Sequence, residues 1–555
     1  MKTFITLTCV LFSFISALHA QSTSKYWVQL SDKNNSPYNI SNPSAFLSSR
    51  AISRRAIQGI AIDAADIPVN TSYITQIQNA GATVLVTSRW LNAVVIQTTS
   101  STVLNDVNAL PFVLGTQPVA FYKRANNITE DNISPLNGSQ EKMHSTNDVY
   151  SYGNSQNQIA MLNGICMHNQ GYDGKNMVIS ILDAGFFHAN TLDVFDSLWA
   201  NNQILGTRDF VSGDTLVFDN DTHGSSVLSC IGGNVPGQLI GTAPKAKFWL
   251  LRTEEGATEL IIEEDNWVHG AEFADSVGAD VINSSLGYST FDIPSQDHTY
   301  ADLNGKTSNA SIAATMAARK GMIVCNSAGN EGSSPWHYIS IPADADSILT
   351  VGAVDATQAI AGFSSVGPTS DGRIKPNVVA QGVASVLVNA NSNMIGTGSG
   401  TSFSSPITAG MVACLWQANP TKKNVEIMNA IQQSASQYFN PDNSYGYGIP
   451  NYCKADSILK GFFSIKQYES DDVIMLSPNP FSSTLSFVLF PSLSENLIYE
   501  IYDVQGKLLL GENRFIKQKS QNTINIVGLE SLAKGMYIFV AKSDNFVIAK
   551  KIIKE

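Results

Sequence analysis

Three side chains able to serve as a nucleophile, its base and the base's partner stand far apart in the chain. Each lies at an element end and beside a glycine. Met177-Val178-Ile179-Ser180-Ile181-Leu182 runs directly into Asp183-Ala184-Gly185. That puts a carboxylate where a buried parallel strand ends, the edge at which open α/β sheets build sites. His223 precedes Gly224 and opens a short helical pattern that closes near Gly232-Gly233. Ser402 lies in Thr397-Gly398-Ser399-Gly400-Thr401-Ser402-Phe403-Ser404-Ser405-Pro406, ahead of the apolar periodic run Ile407 to Trp416. Ser402 is therefore expected at or next to the N-terminus of a buried helix, in the positive potential of its first turn. Pro406 is expected where first-turn amides lack intrahelical partners. Asn330 follows the strand-like run Met322 to Cys325, within Ser327-Ala328-Gly329-Asn330-Glu331-Gly332, and its amide can donate to a developing negative oxygen. Singly, each residue also reads as a cap, a turn residue or a structural histidine. Together and in order, Asp, His and Ser make the set that cleaves an acyl group through a covalent serine ester.

The elements that must position them lie between residues 148 and 462. There, apolar strand-like runs (Met177 to Leu182, Lys247 to Leu251, Asp280 to Ile282, Met322 to Cys325, Ile348 to Val351, Ala384 to Val388) alternate with helical patterns at Val227 to Ile231, Ile262 to Val277 and Ser311 to Lys320. Near-continuous apolar strands between helices predict an α/β unit with a mostly parallel sheet covered on both faces. Before it, residues 21–123 read as a small α+β domain without clustered catalytic groups; its basic segment Arg50 to Arg55 reads as a solvated helix face, with a processing site as the alternative. Residues 124–147 are polar and turn-rich, an exposed linker of the kind proteases cut. Residues 472–555 alternate short strands with turns and predict a small β-sandwich.

The chain has 555 residues, a net charge of −12 and 43% hydrophobic residues. Several domains with ample core are expected, and the acidic balance argues against a nucleic-acid partner. Residues 1–20, with Lys2 followed by the apolar run Phe4 to Leu18, read as a secretory signal peptide; no later run is long enough to span a membrane. Once Cys9 leaves with it, Cys166, Cys230, Cys325, Cys414 and Cys453 remain, spread too widely to suggest zinc or a disulfide framework. Export permits a disulfide, and Cys230, Cys325 and Cys414 read as small core residues.

The stretches Ile181-Leu182-Asp183-Ala184-Gly185, Thr222-His223-Gly224-Ser225-Ser226-Val227 and Gly400-Thr401-Ser402-Phe403-Ser404-Ser405-Pro406 resemble the subtilisin-like serine peptidases, the subtilases, over roughly residues 150 to 455. Gly241-Thr242-Ala243-Pro244, Val281 to Gly287, Ser327 to Gly332 and Lys375-Pro376-Asn377 support the match. The departures are Ala184 in place of Ser or Thr, Ser225-Ser226 in place of Thr-His, Asn377 in place of Asp and Gln381 in place of Pro; none removes a catalytic group. The resemblance implies that Ser402 attacks a peptide carbonyl, that His223 moves the proton and Asp183 holds the imidazole, and that Asn330 helps form the oxyanion hole. It further implies that Ser285, Leu286 and Gly287 pair with substrate backbone, with Ala328 and Gly329 as the facing wall. It makes the first domain a prodomain and the linker its processing region. Catalysis requires no cofactor on this reading, while a structural calcium ion is admitted. Asp219-Asn220-Asp221 and Asp302 to Lys306 group oxygens closely but lack the spacing of a calcium loop; they read as solvated turns, and any metal ligands stay unknown.

The C-terminal unit resembles the sorting domain of the type IX secretion system, through Ser477-Pro478-Asn479-Pro480-Phe481, Tyr502 to Lys507, Gly535-Met536-Tyr537 and Lys550 to Lys554. The expected product is an exported or surface-attached endopeptidase. Its expected partners are peptide or protein substrates, its own prodomain and the secretion machinery. The competing readings are a catalytically silent subtilase fold used for binding, and an adhesin whose β-domain carries the function.

Overall fold

Alternation of side chains along the N-terminal strands decides how the first domain is used. The computed structural model describes residues 24–121, 133–136, 148–461, 474–489, 496–504, 506–515, 522–542 and 547–555. The signal segment and most of the 124–147 linker lie outside these. The chain divides into two units, Met1–Cys453 and Lys454–Glu555.

In the first unit, β1 (Ser24–Leu30), α1 (Ser49–Gln58), α2 (Thr71–Asn79), β2 (Thr83–Ser88), β3 (Ala93–Thr98), α3 (Ser101–Asn108) and β4 (Val113–Phe121) build an antiparallel sheet ordered β2-β3-β1-β4. Because strand side chains alternate between faces, Val28, Leu30, Val94 and Ile96 pack with Ile77 and Val107 of the domain's own helices. Trp27, Ala93 and Val95 face the other way and pack against Ile262 of the following region. β4 leads toward β5 (Ser134–Pro135), the described part of the linker.

Seven strands then form one sheet in which every pairing is parallel: β6 (Val178–Asp183), β7 (Ile204–Asp209), β8 (Lys247–Arg252), β9 (Val281–Ser284), β10 (Ile323–Ser327), β11 (Leu349–Val354) and β12 (Val378–Gln381), in the order β12-β11-β10-β9-β6-β8-β7. The order reverses at β6, so its carboxyl end marks a topological switch point. Helices α4 (His223–Gly232), α5 (Ile262–Val277), α6 (Asn309–Arg319) and α7 (Thr401–Ala418) cover the sheet. The expected parallel α/β unit is present, with one change of place. The run expected as a strand at Ala384 to Val388 forms β13 (Ser385–Asn389), which pairs antiparallel with β14 (Met394–Gly398) outside the main sheet.

The basic segment corrects the sequence reading. Arg54 and Arg55 are 5% and 1% exposed. Asp275 on α5 takes Arg54 on one oxygen and, on the other, Arg55 and Arg89, each at 2.7 Å. Arg55 also reaches Asp66 at 2.8 Å. Glu272, one turn earlier, accepts from Ser88 Oγ at 2.6 Å and from the Arg89 and Trp90 amides at 2.9 and 3.0 Å. What looked like a wet helix face is the buried half of an ion cluster.

A disulfide joins Cys166 to Cys453 at the start of α8 (Tyr452–Leu459), 287 residues away. Cys230, Cys325 and Cys414 are buried and lie outside this cross-link, as expected of small core residues. In the chain-entropy view a cross-link over so long a loop stabilises by about 5–6 kcal/mol, with native strain subtracting. Cys453→Ser is expected to lower the unfolding free energy of the processed enzyme by about 2–4 kcal/mol, read from urea midpoints; an unmoved midpoint would show that the clasp does not constrain the unfolded chain.

The second unit pairs β15 (Ile474–Ser477), β16 (Leu485–Leu489), β17 (Asn496–Tyr502), β18 (Leu508–Phe515), β19 (Asn522–Ile526), β20 (Gly535–Lys542) and β21 (Val547–Lys554) into two antiparallel sheets, β15-β16-β19 and β18-β17-β20-β21. Their core holds Phe481, Leu485, Phe487, Tyr499, Ile501, Phe539 and Ile552.

Candidate active site

Asp183 is the last residue of β6 and is fully buried. Its Oδ1 accepts from His223 Nδ1 at 2.7 Å and from the Ala184 amide at 2.9 Å. Burial pushes the Asp183 carboxyl above its ordinary value, against the pull of the imidazole beside it. Two glycines make this approach possible: a Cβ on Gly224 would sit 2.2 Å from the Gly185 carbonyl oxygen, and one on Gly185 would sit 2.5 Å from the Asp221 amide nitrogen. Arg252 fixes the same turn, its Nε donating to the Ala184 carbonyl and its Nη1 to Asp209, each at 2.9 Å.

His223 is the first residue of α4. Its amide donates to Asp221 Oδ1 at 2.8 Å, which fixes the turn leading into the helix that carries the imidazole. Asp221 is 7% exposed, so the Asp219 to Asp221 turn is not simply solvated. At the other suspected calcium turn, Asp302 accepts from the Thr299 amide and hydroxyl, and Asn304 from the Lys306 amide. In each turn one carboxylate oxygen accepts from a nearby backbone amide. Among the described residues no cluster of three or more His, Cys, Asp or Glu side chains is placed to hold a metal ion.

Ser402 is the second residue of α7 and 9% exposed. The neighbouring Phe403 ring lies 6.0 Å from the His223 ring. Pro406 sits inside the helix rather than in its first turn. Lacking an N–H, it leaves the carbonyl four residues back without its helical donor. That carbonyl belongs to Ser402, and Ser285 Oγ donates to it at 2.8 Å. Ser402 Oγ in turn donates to the Ser285 carbonyl at 3.4 Å. The sequence reading missed this exchange; a proline four residues after the serine was its only local signal.

Asn330 is oriented by Thr401. Asn330 Oδ1 accepts from the Thr401 amide at 2.9 Å and its hydroxyl at 3.0 Å, and the Gly329 amide donates to Thr401 Oγ1 at 3.2 Å. With its oxygen engaged there, the amide's NH2 is on the opposite side of the group. Leu286 is pinned through its carbonyl, which accepts from Asn326 Nδ2 at 3.2 Å and Ser327 Oγ at 3.4 Å; Gly287 is exposed. Ala328 and Gly329 continue from β10, with the Ala328 amide donating to Val351 and the Ser365 amide to Gly329. Sequence reasoning also missed Glu254, which is buried and hydrogen-bonded by Tyr288 Oη. Burial first, then the charge of Glu259, pushes the Glu254 carboxyl up to about 8.

A parallel sheet that gathers a carboxylate, an imidazole and a helix-borne hydroxyl at one edge is the frame of a serine hydrolase. The model of the Subtilase family matches residues 174–448. A Bacteroidota peptidase S8 propeptide domain matches residues 25–135, and a secretion system C-terminal sorting domain matches residues 476–555. Subtilisin DY of Bacillus licheniformis is 31% identical over 287 residues, 50% of this chain and 89% of the relative. Subtilisin NAT of Bacillus subtilis subsp. natto is 29% identical over 297 residues, covering 53% and 69%. Serine protease AprX of Bacillus subtilis is 26% identical over 339 residues, covering 56% and 73%. The chain belongs to the subtilase family and is a secreted subtilisin-like serine endopeptidase carrying its own propeptide domain. The sorting domain directs it to the secretion machinery and to the cell surface or beyond. Among the described residues no helix is long and apolar enough to cross a membrane.

Proposed function

We propose that Ser402, His223, Asp183 and Asn330 carry the peptidase reaction. The observation that supports this best is the 2.7 Å bond from His223 Nδ1 to Asp183, made at the switch point of the sheet and beside the helix that presents Ser402. With Nδ1–H given to the carboxylate, Nε2 is the basic nitrogen. It takes the Ser402 proton as Oγ attacks the peptide carbonyl, then gives it to the leaving amine, and Asp183 stabilises the imidazolium between. The negative oxygen is held by Asn330 Nδ2 and the Ser402 amide, at the positive end of α7. Substrate backbone lies along Ser285 to Gly287, facing Ala328-Gly329. A fluorophosphonate probe is expected to label processed wild type at Ser402; unlabelled, folded protein would overturn the assignment.

Asn330→Ala is expected to lower kcat about 10²–10³-fold with little change in KM, the size of effect measured on subtilisin for one such donor. A raised KM at unchanged kcat would instead make Asn330 a ground-state contact.

The domain limits belong to this proposal: residues 21–123 as the inhibiting prodomain, 124–147 as the region where it is cut, 148–462 as the enzyme and 472–555 as the sorting unit. No cofactor is needed for catalysis in this family. Calcium, if bound, would act on stability rather than on the chemical step, read as a melting temperature that rises with added calcium while kcat stays fixed.

A further inference from the structure

We propose that His269, midway along the face of α5 that receives the prodomain, makes that docking acid-labile: the ring can take a proton only when the prodomain lifts away, so acidification loosens the prodomain from the enzyme. The consequence for activity rests on the reading of residues 21–123 as the inhibiting prodomain; the loosening itself does not.

Residues three, four and seven apart share one face of a helix. On α5 that face is marked out by its prodomain contacts. Ile262 packs against Trp27, Ala93 and Val95. Glu272 accepts from Ser88 and from the Arg89 and Trp90 amides. The Ser276 carbonyl accepts from the Ser48 amide at 2.9 Å. His269 is seven residues from both Ile262 and Ser276 and three from Glu272, so it belongs to the same docked stripe. Its ring lines a cleft between prodomain and enzyme, with Val86, Thr87 and Arg89 on one side and Arg208 and Phe210 on the other. It is 3% exposed, and neither Nδ1 nor Nε2 has a hydrogen-bond partner among the described residues.

A proton placed on this ring in the docked state makes a buried cation with no acceptor. Arg89 and Arg208 carry the same sign of charge as an imidazolium. Glu272 is engaged by Ser88 and two amides, and the Arg89 guanidinium by Asp275 and the Glu272 carbonyl. Asp265, one turn back on α5, accepts from Asn309 at 2.9 Å. Burial accordingly pulls the His269 imidazole down to about 3 while the prodomain is docked. Undocked, this face of α5 meets water and the ring returns to the ordinary histidine range, near about 6.5. A group that holds its proton more weakly when docked favours docking above its undocked value and opposes it below, by about tenfold per pH unit until the docked value is reached. Between pH 7.5 and 5.5 the docking constant therefore falls about tenfold through His269. Glu272 and Asp265 are shifted the other way, upward by burial, and act in the opposite sense, so neutral replacements of His269 are read against their parent.

The test uses the full Ser402→Ala chain without its signal segment, so that its result does not depend on self-processing. The Ser48, Arg89 and Trp90 amides bond across the interface, and their hydrogen exchange reports its opening. After correction for the pH dependence of chemical exchange, their protection is expected to fall about tenfold between pH 7.5 and 5.5 relative to the same chain carrying His269→Gln or His269→Leu. A relative change within about twofold overturns the proposal. If neither replacement folds, the parent decides: protection that does not fall on acidification overturns it. Processed wild type can be held at pH 5.5, freed of the released domain and returned to pH 7.5. Loosening with no gain in fluorophosphonate labelling after that treatment upholds the proposal and removes only the inhibitory reading of the domain.

Discussion

Ser402→Ala is expected to reduce kcat by about 10⁶-fold, the loss measured on subtilisin when its own serine is removed. The fold should not notice. Ser402 Oγ makes one long contact, to the Ser285 carbonyl at 3.4 Å, whereas the contact that secures the helix start runs to the Ser402 backbone carbonyl and survives the change. Stability within about 0.5 kcal/mol of wild type is expected. Residual hydrolysis near the wild-type rate, from protein freed of contaminating peptidase, would remove Ser402 from the mechanism. Normal folding with no activity would separate the nucleophile from the scaffold that carries it.

The second large effect belongs to Asp275, which has no solvent exposure and meets three guanidinium groups of the prodomain, from Arg54, Arg55 and Arg89. Asp275→Ala strands those cations inside the interface. Breaking a buried pair costs about 3–5 kcal/mol because the remaining charge is left without its partner. Arg55 keeps Asp66, so the low end of that range applies to it. The change is best made in the Ser402→Ala background, where prodomain and enzyme stay joined. Urea unfolding should show the precursor losing about 3 kcal/mol or more. The processed wild-type enzyme bearing Asp275→Ala should lose under about 1 kcal/mol, since its aspartate then faces water. Equal losses in the two forms would show that Asp275 supports α5 itself rather than the docking of the prodomain.

The site was legible where chemistry and local punctuation coincide. Asp183 ends an apolar run, His223 opens a helix and Ser402 begins one, and all three assignments rest on patterns a few residues long. The contacts that support the site were hidden because their partners are distant in sequence. Ser285 answers a carbonyl left open by Pro406, 121 positions away. Arg54 and Arg55 look like surface residues until Asp275 is brought to them by tertiary packing. Strand edges were lost for a different reason. β7 is half-exposed at the sheet margin and β12 has only four residues, so neither shows the continuous apolar run of a central strand. The segment at Ser385 has that run, but hydrophobicity reports burial and not which neighbour supplies it, so its place in a separate hairpin could not be read.

The cross-link between Cys166 and Cys453 turns most of the catalytic region into a closed ring, with the prodomain and the sorting unit attached as two tails. Topologically, trimming either tail leaves the ring untouched. A single accidental nick anywhere between residues 166 and 453 opens the ring but releases no fragment, because both new ends remain on one covalent chain. Two cuts, rather than one, are needed before any of its catalytic groups can drift away.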